Sequence, residues 1–261
     1  MSNKLLVRRV AVLGAGVMGA QIAAHLTNAG VDTVLFDLAA KEGPADGIVL
    51  KAIANLGKLS PAPLASKSLA EAITPANYDT GLEQLRDCDL VIEAIAERMD
   101  WKQDLYRKIA PFVNDTAVLA SNTSGLGINA LGAVLPEQLR HRFCGVHFFN
   151  PPRYMHLAEL IPAATTDKAV LEGLETFLTT NLGKGVVYAK DTPNFIGNRI
   201  GVFSILSVIH HTRQFGLGFD EVDAITGPLV GRPKSATYRT SDVVGLDTMA
   251  HVIKTMADTL P

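Results

Sequence analysis

The chain has 261 residues, enough for one large domain or two domains of ordinary size. Hydrophobic residues make up 48% and charged residues 19%, which is typical of a globular protein and excludes the disordered, collagenous and disulfide-scaffold classes. The 24 basic and 26 acidic residues give a net charge of −2 without a long run of one sign, so neither nucleic acid nor an anionic membrane is an expected partner.

The amino-terminal segment combines early basic residues with an apolar stretch, as a secretory signal does. Gly14, Gly16 and Gly19 interrupt that stretch, and no later segment has 18 uninterrupted apolar residues. Cys88 and Cys144 lie beside apolar residues, as buried reduced thiols do. We therefore expect a cytoplasmic protein with no membrane insertion.

Strands and helices are predicted to alternate through the first two thirds of the chain. Predicted strands are RRVAVL, TVLFD, CDLVIEAIAE, TAVLASN, RFCGVHFF, HLAELIP and KGVVYAK. Predicted helices cover residues 18–28, 39–59, 100–112, 128–135 and 170–182, and residues 60–68 form a loop. In the helix over 100–112, Trp101, Leu105, Ile109 and Phe112 lie near helical spacing. This order predicts a doubly wound, mostly parallel α/β sheet of the Rossmann type.

The pattern changes after Asp191, beyond which only helices are predicted. We expect a Rossmann-type domain over residues 1–191 and a smaller, all-helical domain over 192–261. Apolar residues cover most of the circumference of the segment 195–216, which favours a helix buried between partners. Its part from Phe195 to Ile209 could also line an acyl pocket.

A glycine motif lies between the first predicted strand and the first helix. In Gly14-Ala15-Gly16-Val17-Met18-Gly19, the first glycine permits a tight turn, the second lets the backbone approach a pyrophosphate, and the third allows close packing of helix on strand. Asp37 ends the second strand, eighteen residues after Gly19, where a carboxylate can bind the adenine ribose and repel a 2′-phosphate. The motif predicts NAD as the cofactor, and it requires no metal.

Polar residues near the ends of later strands are expected at the same edge of the sheet. Glu97 and Asn122 are two such residues, for which helix capping is the alternative interpretation.

Oxidation of an alcohol by a nicotinamide cofactor needs a base that is neutral near pH 7, and histidine is the usual choice. His147 ends a predicted strand before the Pro151-Pro152 corner, and Glu159 is a single carboxylate in the next apolar run. If the two segments fold back on each other, the carboxylate can orient the imidazole. The alternatives are a core histidine and a structural ion pair of Glu159 with a lysine or arginine.

Five motifs together carry a resemblance that spans most of the chain. GAGVMG, VIEAIAE, SNTSGL, HFFNPPRYMHLAE and KDTPNFIGNR resemble, in their order, the motifs of the 3-hydroxyacyl-CoA dehydrogenase family. The resemblance implies NAD-dependent oxidation of an (S)-3-hydroxyacyl-CoA to a 3-ketoacyl-CoA, in fatty-acid β-oxidation or short-chain acyl-CoA metabolism. It implies that His147 is the general base and Glu159 its charge partner. Ser124 and Asn198 would bond the 3-oxygen and thioester region of the substrate.

The same resemblance implies the ligand contacts. Asp37, Glu97, Lys102 and Asn122 would contact NAD, and Asn150 would border the nicotinamide. A solvated charge on a helix is the alternative for Lys102. Lys51, Lys58 and Lys67 would face the phosphates of coenzyme A, although ordinary surface lysines explain them equally well.

The residues of these motifs resemble dehydrogenase modules of larger bacterial fatty-acid oxidation proteins more than the stand-alone mitochondrial type. Since only seventy residues follow Asp191, we expect the helical domain to be cut short, which puts in doubt the homodimer that it would form. Two alternatives stay open. One is a β-hydroxyacid dehydrogenase with a lysine base, and the other is a non-catalytic or weakly active NAD-binding fragment of a larger multifunctional protein.

Overall fold

The computed structural model describes residues 5–259. Clustering of contacts divides the chain into two units, with the division between Asp191 and Thr192. The first unit is a sheet flanked by helices. Its strands are β1 (Arg9–Leu13), β2 (Asp32–Asp37), β3 (Ile73–Asn77), β4 (Leu90–Glu93), β5 (Val118–Ser121), β6 (Phe143–Phe148), β7 (Leu157–Pro162) and β8 (Gly185–Tyr188). Its α-helices are α1 (Val17–Asn28), α2 (Gly47–Leu56), α3 (Met99–Ile109), α4 (Ile128–Gly132), α5 (Glu137–Arg140) and α6 (Lys168–Thr180).

The sheet has the order β3-β2-β1-β4-β5-β6-β7-β8. Strands β1 to β6 run parallel, β7 is antiparallel to β6, and β8 is parallel to β7. The order 3-2-1-4-5-6 is that of dinucleotide-binding folds, which bind ligands where the strand order reverses, at the carboxyl ends of β1 and β4. The mostly parallel α/β prediction is confirmed.

Burial explains why the central strands are continuous apolar runs. Residues 10–13 of β1 and 90–93 of β4 are buried, because helices cover both faces of a parallel sheet. Helix α1 packs closely on this sheet, since Ala20, Ala23 and Ala24 form much of its buried face.

Two predictions for this unit were wrong: the start of one helix, and the absence of a strand over residues 73–77. The helix expected over 39–59 begins only at Gly47, because Gly43 has a φ of +80° and Pro44 follows it, so residues 38–46 form turns. Strand β3 was missed, since Pro75 argues against a strand. The proline is tolerated because β3 lies at the edge of the sheet.

The second unit is helical, as predicted. Its helices are α7 (Gly197–Phe215), α8 (Phe219–Thr226), α9 (Tyr238–Val244) and α10 (Leu246–Thr259). This single chain buries α7 only in part. Val202 and Thr212 are buried, but Ile200 and Phe203 are 64% and 70% exposed, because the neighbouring helices cover only part of its apolar circumference. None of the described helices is long and apolar enough to cross a membrane.

Candidate active site

The glycine turn between β1 and α1 is as tight as the motif predicts. Gly14 has a φ of +106°, and a Cβ there would lie 2.8 Å from the carbonyl oxygen of Ala94, in the loop after β4. A Cβ on Gly19 would lie 1.8 Å from the oxygen of Gly14. These two glycines therefore bring the turn, the helix and the end of β4 into direct contact.

Gly16 has a different surrounding, which tests whether the turn fits a dinucleotide. A Cβ on Gly16 would meet no atom within 4 Å, and no side chain of the described residues caps α1 at this point. The first amide to bond back within the helix is that of Ala20, to the Gly16 oxygen at 3.0 Å. The open turn and the uncapped amides of a twelve-residue helix fit a pyrophosphate.

Asp37 lies beside this turn at the end of β2. Its Oδ2 accepts a hydrogen bond from the Ala15 amide at 2.6 Å, and its Oδ1 accepts one from the Leu38 amide at 2.7 Å. The half-buried carboxylate is thus fixed next to the glycine turn, where the sequence places a ribose contact.

The structure pairs the two residues proposed to act on a proton. In the antiparallel register of β6 and β7, His147 stands opposite Glu159, and the distance between His147 Nδ1 and Glu159 Oε2 is 2.7 Å. Glu159 is fully buried and His147 is 4% exposed. A carboxylate accepts the Nδ1 proton, which leaves the lone pair of the imidazole on Nε2. Glu159 thus has a histidine as its partner in this pair.

The corner between β6 and β7 is held from several sides. Asn150 Oδ1 accepts a hydrogen bond from Gln21 Nε2 of α1 at 3.2 Å. Arg153 donates to the carbonyl oxygens of Ala62 and Leu64, both at 2.8 Å. Hydrogen bonds therefore connect the corner to helix α1 and to the loop over 60–66.

Lys184, just before β8, holds the other side of the same corner. Its buried ammonium donates to the carbonyl oxygens of Pro152 and Met155, and burial lowers the pKa of Lys184 to about 8. The side chain of Lys184 thus holds the backbone between β6 and β7 by hydrogen bonds.

The loop after β5 carries the other predicted polar residues. Asn122 Oδ1 accepts the Phe148 amide at 2.9 Å, which ties this loop to the residue after His147. Glu97 Oε1 accepts hydrogen bonds from Thr123 Oγ1 at 2.6 Å, Ser124 N at 2.8 Å and Gly125 N at 3.1 Å. Neither Glu97 nor Asn122 caps a helix, so the capping interpretation was wrong for both.

Comparison with known proteins agrees with this arrangement. Residues 9–192 match the family described as 3-hydroxyacyl-CoA dehydrogenase, NAD binding domain. The chain belongs to the 3-hydroxyacyl-CoA dehydrogenase family. Its cofactor is therefore NAD, and it is an NAD-dependent oxidoreductase of fatty-acid metabolism.

Individual relatives cover the chain almost completely. It is 42% identical over 98% of its length to a Deinococcus radiodurans protein named "Probable 3-hydroxyacyl-CoA dehydrogenase", and it spans 74% of that protein. It is 41% identical to a Bacillus subtilis protein of the same name, of which it spans 34%. The crystal structure of Mycobacterium tuberculosis FadB2 superposes with a TM-score of 0.80 at 32% identity, covering 97% of this chain and 87% of that one.

In this 3-hydroxyacyl-CoA dehydrogenase, Lys102 is not the solvated charge considered as its alternative. It is 1% exposed, and its Nζ lies 2.6 Å from Glu93 Oε1, 3.3 Å from the Ile95 oxygen and 3.6 Å from Glu97 Oε2. Sequence reasoning missed Glu93, the fully buried last residue of β4. Glu93, like Glu159, is a single carboxylate in an apolar strand, and this pattern marks it as a residue that needs a buried partner.

The remaining predicted residues belong to other elements of the chain. Lys51, Lys58 and Lys67 are exposed on and after α2, so contact with coenzyme A stays a prediction. Asn198 belongs to α7 in the second unit, and its role also stays a prediction. Trp101, expected on the buried face of α3, is 50% exposed and stacks on Arg98, because Lys102 takes the inward position.

Proposed function

We propose that this chain oxidises the 3-hydroxyl group of an (S)-3-hydroxyacyl-CoA to the 3-ketoacyl-CoA, and that His147 is the general base. The observation that carries the proposal is the buried His147–Glu159 pair, 2.7 Å apart across β6 and β7. Since β6 is parallel to its neighbours up to β1, His147, near its carboxyl end, lies toward the same edge of the sheet as the glycine turn. An acid–base pair toward the cofactor edge is what alcohol oxidation requires.

The proton goes to this chain's own residues. NAD, when bound in the glycine turn, supplies the acceptor for the hydride of the substrate C3–H bond. His147 Nε2 takes the hydroxyl proton as the C3–O bond becomes a carbonyl. Glu159 holds the imidazole in the tautomer with a basic Nε2 and stabilises the imidazolium that forms. In the reverse direction, the same imidazolium returns its proton to the carbonyl oxygen.

Two further polar residues are proposed to bind the substrate. Ser124 lies two residues after Asn122, and Asn122 accepts a hydrogen bond from Phe148, the residue after His147. This link supports a contact of the Ser124 hydroxyl with the 3-oxygen of the substrate. Asn198 is proposed to bind the thioester region. Asp37, Glu97, Lys102, Asn122 and Asn150 are proposed to form the NAD site directly or through the hydrogen bonds described above.

The surroundings of the site support further parts of the proposal. Lys51, Lys58 and Lys67 are exposed cations suited to the phosphates of coenzyme A. The exposed Ile200 and Phe203 of α7 support a homodimer through the helical unit. Two free, buried cysteines, Cys88 and Cys144, support a reducing cytoplasm.

The test follows NADH absorbance with acetoacetyl-CoA as the substrate. The His147→Gln variant should lose turnover by about a hundredfold or more, as expected on removal of a general base, and should keep near-normal NADH affinity. Unchanged turnover in the variant would remove His147 from its role. Absence of turnover in the wild type, with NADH bound, would favour a non-catalytic NAD-binding protein.

A further inference from the structure

Glu93 is a buried charge to which the proposed reaction gives no part. Its Oε1 accepts hydrogen bonds from Lys102 Nζ at 2.6 Å and Ile95 N at 2.7 Å, and its Oε2 accepts them from Tyr106 OH at 2.8 Å and Ser121 Oγ at 2.7 Å. A carboxylate has about four acceptor positions, and these four donors use them. Glu93 therefore acts on the protein and not on a ligand.

One route leads from Glu93 to Ser124 through charges. Lys102 Nζ lies 2.6 Å from Glu93 and 3.6 Å from Glu97 Oε2, so one buried cation is shared by two carboxylates. The other oxygen of Glu97 accepts the amides of Ser124 and Gly125. The position of Lys102 thus determines how Glu97 meets this turn.

A second route leads to the same turn through a hydroxyl group. Ser121 Oγ donates to Glu93 and accepts the amide of Thr123 at 3.2 Å. Both routes end on residues 121–125, the hydroxyl route at Thr123 and the charge route at Ser124 and Gly125. Tyr106 also donates to Glu93, and its pKa is raised well above its ordinary value by burial and then by the charge of Glu93, so it remains a hydrogen-bond donor.

We propose that Glu93 is a positioning residue that sets the conformation of the segment 121–125 and thereby the place of the Ser124 hydroxyl. The effect on turnover rests on the function proposed above, whereas the effect on the segment does not. Neutralising Glu93 would leave Lys102 with Glu97 as its remaining carboxylate. The ammonium would then be drawn toward Glu97, which would turn away from the amides of Ser124 and Gly125.

Glu93→Gln keeps the shape of the side chain and removes its charge. Hydrogen exchange should become at least tenfold faster at the amides of Ser124 and Gly125 than in the wild type, while exchange in β6 changes much less. The kcat with acetoacetyl-CoA and NADH should fall at least tenfold, and the Kd of NADH should change less than threefold. Glu172→Gln, the same change at a surface residue of α6, is the matched control, because it removes a carboxylate charge outside both routes; exchange over 121–125 should then match the wild type.

Ser121→Ala is the second variant, which tests the inference even if Glu93→Gln does not fold. It breaks the hydroxyl route alone, so exchange should rise at Thr123 and its neighbours by a smaller factor. The proposal would be overturned if exchange at Ser124 and Gly125 were unchanged in Glu93→Gln. If only Ser121→Ala folds, unchanged exchange at Thr123 in that variant would overturn it. An equal rise throughout the sheet, or a loss of NADH affinity as large as the loss of kcat, would also overturn it. A wild type without turnover would defeat the proposed function alone, because the exchange measurement still decides the role of Glu93.

Discussion

The substitution Glu159→Gln tests the pair at the centre of the site. Glu159 Oε2 lies 2.7 Å from His147 Nδ1, and both side chains are buried. The amide has nearly the shape of the carboxylate, so the strands should keep their register. It carries no charge to stabilise an imidazolium, and its NH₂ group can donate to Nδ1, which would leave the proton on Nε2. The imidazole could not then act as the base.

The distance sets the size of the effect. Two unit charges 2.7 Å apart interact by about 6 kcal/mol at an effective dielectric constant near 20. Desolvation of the pair and the hydrogen bond that glutamine can still make take back part of this. A loss of about 3–5 kcal/mol in transition-state stabilisation remains, which corresponds to a kcat lower by roughly 10² to 10⁴.

The assay is the initial rate of NADH oxidation with acetoacetyl-CoA at pH 7. Glu172→Gln, the same change at a surface residue of α6, is the matched control and should leave kcat unchanged. The double variant of His147→Gln and Glu159→Gln should be little worse than the worse single variant, because the two residues act as a unit. A Glu159→Gln enzyme within threefold of the wild-type kcat would refute the role assigned to the carboxylate.

Two further predictions concern the glycine turn and acid stability. Gly16→Ala should fold with near wild-type stability, because its Cβ meets no atom within 4 Å, yet it should bind NADH at least tenfold more weakly; Gly19→Ala, whose Cβ would lie 1.8 Å from the Gly14 oxygen, should also lower the melting temperature. Equal NADH affinity of Gly16→Ala and wild type, measured by fluorescence titration, would place the pyrophosphate elsewhere. Burial, and then the charge of Lys184, lowers the pKa of His25 from 6.5 to about 4, so the unfolded chain binds the proton first and stability is lost as the pH falls from 6.5 toward 4. Between pH 7 and 4.5, urea unfolding should show wild type losing about 2 kcal/mol more than His25→Gln, a figure reduced for partial exposure, and equal losses would contradict the assignment.

The fold was predictable where periodicity and local chemistry agree. The strands from β1 to β8, apart from β3, are apolar runs between turn residues, and their alternation with helices implies the parallel sheet. Strand β3 was not predictable because Pro75 suits a strand only at an edge, and edge position depends on the whole topology. The late start of α2 is indicated by Gly43 and Pro44, whose turn-forming tendency outweighs the apolar spacing around them.

The site was predictable where its residues lie on two strands that follow each other directly in the sequence. His147 and Glu159 are twelve residues apart on two strands joined by a proline corner, so their meeting needed only one assumption about direction. The buried position of Lys102 was not predictable, since it depends on Glu93 at the end of β4 and on Glu97 in the loop after it. A lysine in an amphipathic helix is expected at the surface, but a buried carboxylate that pairs with it can hold it in the interior.

The pairing of His147 with Glu159 across one antiparallel turn has a consequence for recombination within the family. Residues 143–162 contain the proposed base His147, its partner Glu159 and the connection between their strands. A chimera that exchanges this hairpin whole inherits a matched pair, whereas a crossover between 149 and 156 joins a histidine from one parent to a glutamate whose register was set in the other. Chimeras with crossovers outside the hairpin should therefore retain turnover more often than those with crossovers within it.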